Sequence, residues 1–266
     1  MRILTCNIRY FGARDGENSW NYRRDLCAEV IRSRAPDVIC FQEMCTQQFM
    51  DLSAALPGYQ AYGMTDSPVG RHPKNCIFYL TQMFDLITAG GYWLSATPHV
   101  PGSKSWQSGH IRMANWVRLE HRSLQTELRV VNTHLDNLSQ PARENQTRLL
   151  VEDATGYPAD YPQLLTGDLN CDHTNAAIAV LKQGGWQDTY DCVHHTENPG
   201  HTFHRFAGDA HQTPTGKMDW IFMRGKLQAL DADVIKDARQ GRFPSDHYFV
   251  SCDLELIKSD GARSPG

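Results

Sequence analysis

Several features that would send this chain elsewhere are missing. Its 266 residues hold no apolar run of about 18, the length a membrane-crossing helix needs. Mean hydropathy is −0.50. Met1 leads at once into Arg2-Ile3-Leu4-Thr5-Cys6-Asn7, with neither a long apolar stretch nor a small-residue cleavage site, so no signal peptide is expected. There is no basic excess: 26 Lys and Arg stand against 30 Asp and Glu, a net charge of −4. A protein that holds long duplex nucleic acid needs a broad cationic footprint, so such a partner is not expected. The eight cysteines include no C-x-x-C pair, and Cys6 and Cys40 fall inside apparent core strands. Buried reduced thiols in a cytoplasmic, monomeric protein are the plainest expectation. No internal repeat or linker-like break in composition interrupts the chain. It reads as one domain over residues 1–257, followed by a polar, flexible tail at 258–266.

What is present is a regular alternation of strand and helix signals. Hydrophobic content is 41%, ample for a large core. Residues 2–8 and 37–42 read as buried strands, the second carrying the apolar run Val38-Ile39-Cys40-Phe41. Between them Ser19 is a candidate N-cap for a helix that Pro36 stops. Thr46 is a candidate cap for a helix to Leu56, ended by Pro57-Gly58. Residues 75–80 and 84–88 read as a strand pair, and 92–94 as a further strand. A long Pro/Gly/Ser loop follows at 97–109, a length often tied to function or mobility. Residues 114–121 and 127–133 form a hairpin; 139–153 and 174–183 are helices; 161–165, 218–223, 232–236 and 248–256 are strands. The expected fold is α/β, a four-layer sandwich: two mixed β-sheets packed face to face with helices on the outside.

Polar residues recur where these strands end. Asn7, Glu43, His134 and Asp168 close strands, and Asp246-His247 stands where the last one begins. Strand ends are where α/β proteins assemble active sites. Glu43 is a hard oxygen ligand suited to Mg²⁺ or Mn²⁺, or else a helix N-terminal charge. Asp168 and Asn170, two apart, either orient a water together or form an Asx-turn with their own backbone. His134 alone is as readily structural. Asp219 stands among apolar residues and needs a partner; His247 is the economical one, and the pairing would raise that histidine's pKa. Basic residues gather locally at Arg9, Arg14, Arg23 and Arg24, at Arg71, His72 and Lys74, and at His194, His195, His201, His204 and Arg205. The dense histidines of 194–211 fit a second metal, a phosphate pocket or ordinary surface composition. Cys171 is expected to pack rather than ligate.

Together these stretches resemble the endonuclease/exonuclease/phosphatase superfamily with its DNase I-like fold. The carriers are TCNIRY (5–10), CFQEM (40–44), NTHLDN (132–137), TGDLNCD (166–172), KMDWIF (217–222) and PSDHYFV (244–250), in the family's order and across nearly the whole chain. Residues 15–20, 92–106 and 201–206 are similar to bacterial members near the nocturnin and deadenylase branch. The resemblance implies a metal-dependent hydrolase of phosphate esters. It assigns Asn7, Glu43 and Asp246 to the metal, Asp168 to the water, and Asn170, His134 and His247 to the phosphate, with Asp219 behind His247. Arg112 falls where the family often places a phosphate-binding side chain, with His110 and Asn115 as competitors, and His204 would line the substrate end. The expected substrate is small or short, such as a nucleotide or an oligonucleotide end. Two other readings stand: a nuclease on RNA or DNA, and a non-enzymatic metal-binding or interaction module.

Overall fold

A computed structural model describes residues 1–67, 70, 72–213 and 215–257. The tail at 258–266 and Arg71 lie outside the described residues. The elements in chain order are β1 (Arg2–Asn7), α1 (Trp20–Arg34), β2 (Val38–Gln42), α2 (Thr46–Ala55), β3 (Tyr59–Tyr62), β4 (Ile77–Leu80), β5 (Phe84–Trp93), β6 (Met113–His121), β7 (Thr126–His134), α3 (Gln140–Thr155), β8 (Gln163–Asp168), α4 (Ala176–Gln183), β9 (Gln187–Asp188), α5 (Thr189–His194), β10 (Asp219–Arg224), β11 (Leu227–Ile235) and β12 (Phe249–Leu256). They build two six-stranded mixed sheets, ordered β11-β12-β1-β2-β4-β3 and β5-β6-β7-β8-β10-β9. Each sheet has one parallel pair joined through a helix: β1 to β2 by way of α1, and β7 to β8 by way of α3.

Residues along the central strands alternate between two apolar layers, as the period of a strand dictates. Ile3, Val38, Cys40, Val130, Leu164 and Val250 face inward, where the two sheets meet. Leu4, Cys6, Ile39 and Phe41 face outward beneath α1 and α2, covered by Cys27 and Ile31 of α1, Leu52 of α2 and Leu56 just beyond its end. On the other side Val131, Leu165 and Phe222 pack under Leu150, Ile178 and Leu181 of α3 and α4. This is the four-layer sandwich expected, and all eight cysteines are free, with only Cys192 exposed.

Towards one end of the sandwich the inner faces change character. Two residues beyond the apolar positions stand Thr5, Gln42, Asn132 and Thr166, all buried. They bond across the gap between sheets. Gln42 Nε2 donates to Asn132 Oδ1 at 2.7 Å and to Thr5 Oγ1 at 3.0 Å. Asn132 Nδ2 donates to the carbonyls of Phe41 (2.9 Å) and Cys76 (3.2 Å), and Thr166 Oγ1 approaches Asn132 Oδ1 at 3.3 Å.

Local readings differ from the structure in a few places. The segments 75–80 and 84–88 are not a pair: β4 pairs with β2 and β3, whereas β5 pairs with β6 in the other sheet. Proximity in sequence suggests a hairpin, but the turn at residues 81–83 carries the chain from one sheet to the other. Strand β5 also continues through Gly90 and Gly91 to Trp93, because a Cβ at either glycine would collide with Trp116 or with Ala114 and Asn115. Ser19 stands at the N-cap of α1 as expected, without a side-chain cap bond; Cys45 rather than Thr46 is the N-cap of α2, and α4 starts at Ala176, with Asn175 as its cap. Among the described residues no helix is long and apolar enough to cross a membrane.

Replacing Asn132 by Leu is expected to cost roughly 3 kcal/mol, because it removes the Gln42 bond that joins the sheets and the two bonds from Asn132 Nδ2 to the Phe41 and Cys76 carbonyls in a buried layer. Urea unfolding at constant m-value measures this. A loss below about 1 kcal/mol would mean that apolar packing can replace the polar layer.

Candidate active site

The parallel pair of each sheet ends at the same edge of the sandwich, where Glu43, His134 and Asp168 line one cleft and Asn7 is buried beneath it. Asn7 closes β1, Glu43 follows β2, His134 closes β7 and Asp168 closes β8; in register, His134 lies beside Asp168 and Asp219 of β10 lies opposite it. Asp246 and His247 enter from the approach to β12. The two sheets therefore supply half of the site each, and they meet at a hydrogen bond from Asn7 Nδ2 to Asp168 Oδ2 of 2.9 Å. Gly167 is required by the chain's course: its φ is +152°, and a Cβ there would stand 2.1 Å from the Thr133 carbonyl oxygen. Arg9, Glu43 and Asn170, just past three of the strand ends, adopt left-handed backbone at φ 54°, 62° and 51°. Such conformations are costly outside glycine and concentrate where side chains are held for function.

The two histidines hold opposite charge states. Burial disfavours a charged His247, but its Nδ1 lies 2.8 Å from Asp219 Oδ2, and with Asp168 and Asp246 nearby its pKa is raised to about 10. Burial, with the cationic neighbours Arg112 and His247, pushes His134 well below 6.5, so it is neutral. His134 Nε2 sits 3.3 Å and His247 Nε2 3.8 Å from Asp168 Oδ2. Burial pushes the Asp168 carboxyl up to about 7, against the pull of the His247 charge. Asp168 Oδ1 accepts the Asn170 N–H at 2.9 Å, so the Asx-turn forms and leaves Oδ2 facing the cleft. Asn170 Nδ2 donates to the Leu135 carbonyl at 3.0 Å, with a second N–H to spare.

Glu43 and Asp246 are the oxygen donors that fit a hard divalent cation. Glu43 Oε2 accepts the Tyr10 N–H at 2.9 Å, with Oε1 3.4 Å from Asn7 Nδ2. Asp246 Oδ1 accepts from Ser245 Oγ at 3.2 Å; Oδ2 lies 3.6 Å from Arg9 Nε. Asn7 Nδ2 bridges the Asp168 and Glu43 carboxylates, while its Oδ1 accepts the Arg9 N–H at 3.0 Å. Asp168, Asp219 and His247 also lie within the spacing of a metal set, all within 4.8 Å of one another. A charged imidazole already bonded to Asp219 has no lone pair to give, which argues against that trio as ligands.

The cleft encloses about 940 Å³. Arg112 lines it, with Nη2 3.4 Å from Asn137 Oδ1 and a buried Nε that has no partner among the described residues. Burial lowers its pKa, opposed chiefly by Asp168. His204 is not at the substrate end. It is wholly buried, its ring 4.1 Å from that of Tyr248 and 4.7 Å from that of Phe243, and it does not line the cleft. The segment 194–211 contributes Phe203 and Arg205 instead, and none of its histidines. Of the early arginines, Arg9 reaches the cleft; Arg23 is buried, binding the carbonyls of Ile8 and Pro244 at 2.8 Å each and so clamping two site loops together.

Residues that local reasoning passed over include Asp136. Its buried carboxylate accepts from Ser108 Oγ (2.8 Å), His110 N (3.2 Å), Leu138 N (3.0 Å) and Ser139 N (2.8 Å). It thereby latches the end of the long loop to the start of α3 and fixes the wall that carries Arg112. An Asp two residues beyond His134 was the available signal. Phe203, whose ring lies 5.0 Å from that of His247, had none.

Residues 4–247 match the model of the Endonuclease/Exonuclease/phosphatase family. An endonuclease/exonuclease/phosphatase from Bacteroides vulgatus superposes with a TM-score of 0.88 at 26% identity, covering 96% of this chain and 98% of that one. A mannosyl-6-phosphatase from Bacteroides thetaiotaomicron superposes at 0.86 and 27%, covering 96% and 99%. The human nocturnin catalytic domain, 22% identical, shares the fold at 0.76, over 97% and 93% of the two chains. Nocturnin from Drosophila melanogaster is 24% identical over 90% of this chain, which spans only 42% of that protein. The chain belongs to the endonuclease/exonuclease/phosphatase family.

Proposed function

We propose that this enzyme is a phosphatase or phosphodiesterase acting on a small or short phosphorylated substrate, nucleotides included, with Mg²⁺ or Mn²⁺ as its cofactor. The observation that carries this reading is the convergence of neutral His134 and charged His247 on Asp168 Oδ2 inside one bounded cleft that Arg112 also lines. Glu43 and Asp246 would hold the metal, which supplies positive charge to a phosphoryl oxygen and to the leaving oxygen. The phosphoryl group rests among Arg112, His134, His247 and the spare N–H of Asn170. Asp168 Oδ2 orients the attacking water and accepts its proton, a task suited to a carboxyl whose pKa lies near neutrality. Asp219 keeps His247 charged, so that the imidazolium meets the negative charge that grows on the phosphoryl oxygens.

The full-length overlap with a mannosyl-6-phosphatase supports a small substrate. A nuclease is the second reading, favoured by the 27% identity to an exoribonuclease subunit of the CCR4-Not complex from Neosartorya fischeri over 54% of this chain. Turnover of oligonucleotides alone, weakening steeply with salt, would favour that branch.

Asp168→Asn is expected to lower kcat by about 10²- to 10⁴-fold while the melting temperature stays near that of the native enzyme. Phosphate release across mononucleotides, cyclic nucleotides, oligonucleotides and sugar phosphates measures it, and near-native turnover would remove Asp168 from its role. Chelation with EDTA should abolish activity, with Mg²⁺ or Mn²⁺ restoring it. Glu43→Gln should raise the metal concentration needed for half-activation by about 10-fold or more. Full activity in EDTA would refute the metal assignment.

A further inference from the structure

The chemistry above leaves cations in the cleft unused, and their distribution is uneven. Of the six lysines among the described residues, Lys182, Lys217, Lys226 and Lys236 each pair with a carboxylate. The other two, Lys74 and Lys104, pair with none, and both line the cleft. Both also stand on the same wall. The backbone carbonyl of Lys74 accepts from Asn115 Nδ2 at 2.6 Å, and the next residue, Asn75, donates through Nδ2 to the Met113 carbonyl at 2.8 Å, beside Arg112. Lys104 Nζ lies 3.5 Å from the Gly109 carbonyl, on the loop that Asp136 latches just ahead of Arg112. His110 lines the same wall, and Lys74 and His110 both lie within electrostatic reach of His134. The remaining acid in the lining, besides Glu43, Asp168 and Asp246, is Asp66.

Resting on the proposed phosphoesterase reading, we infer that Lys74 and Lys104 form a second anion subsite beside Arg112, which receives another phosphate of the same substrate. The site is thus built for a compound with two phosphate groups rather than one. That second phosphate belongs either to a small bisphosphate or to the next linkage of an oligonucleotide, and the chemistry of capture is the same: two ammonium groups that form no ion pair with a carboxylate.

The test compares substrates that differ by one phosphate: hexose 6-phosphate with hexose 1,6-bisphosphate, adenosine 5′-monophosphate with adenosine 3′,5′-bisphosphate, and a nucleoside monophosphate with a 5′-phosphorylated dinucleotide. The expected result is a kcat/KM ratio of about 10 or more in favour of the second phosphate, in either the small-molecule or the dinucleotide arm, falling to about 1 in the Lys74→Ala/Lys104→Ala double variant. Calorimetric titration of the same hexose pair in EDTA reads the subsite without turnover. A ratio near 1 in every arm, or one that the double variant leaves intact, would overturn the inference. If no phosphate ester is hydrolysed at all, the phosphoesterase reading fails and the titration still decides the subsite.

Discussion

Where the two sheets meet beneath the active site, the interface is polar, and the site's geometry depends on that layer. Along each inner face the residues pass from apolar to hydrogen-bonding to reactive in steps of two: Ile3, Thr5, Asn7; Val130, Asn132, His134; Leu164, Thr166, Asp168. An apolar interface can slide, since dispersion and water exclusion are non-directional. The bonds from Gln42 and Asn132 cannot slide without leaving buried donors unmade. They set the offset of one sheet against the other, and the Asn7–Asp168 bond one step higher carries that offset into the cleft.

The electrostatics follow from this placement. Two histidines share one carboxylate, yet one is charged and the other neutral, because Asp219 backs His247 while burial, together with Arg112 and the His247 charge, presses on His134. An imidazolium that meets anionic charge and a neutral imidazole that donates a single hydrogen bond are different tools, and the fold makes both from the same residue type. The same contrast holds for the whole molecule. A net charge of −4 argues against a broad basic face, while the cleft wall gathers Lys74, Lys104 and Arg112. Global composition and local field are independent quantities, and it is the local field that the substrate meets.

Much of the site was legible in the chain alone, since strand ends are local features. A run such as Val38-Ile39-Cys40-Phe41 followed by Gln42 and Glu43 announces a buried strand and the residue at its exit, and the same holds for His134, Asp168 and Asp246-His247. The four-layer architecture followed from apolar alternation between helical segments, and Asp219 was matched to His247 because a buried carboxylate must have a partner. Other features depended on contacts that no local pattern encodes. Residues 75–80 and 84–88 part into separate sheets, His204 is sealed against Tyr248, and the Asn7 amide is turned by its neighbours. Asp136 and the two unpaired lysines acquire meaning only when distant loops close on one wall. The sequence by itself determined which residues sit at strand ends and which faces are apolar, because both depend on backbone periodicity. Tertiary structure alone decided charge state, orientation and company, because these depend on what approaches from elsewhere in the chain.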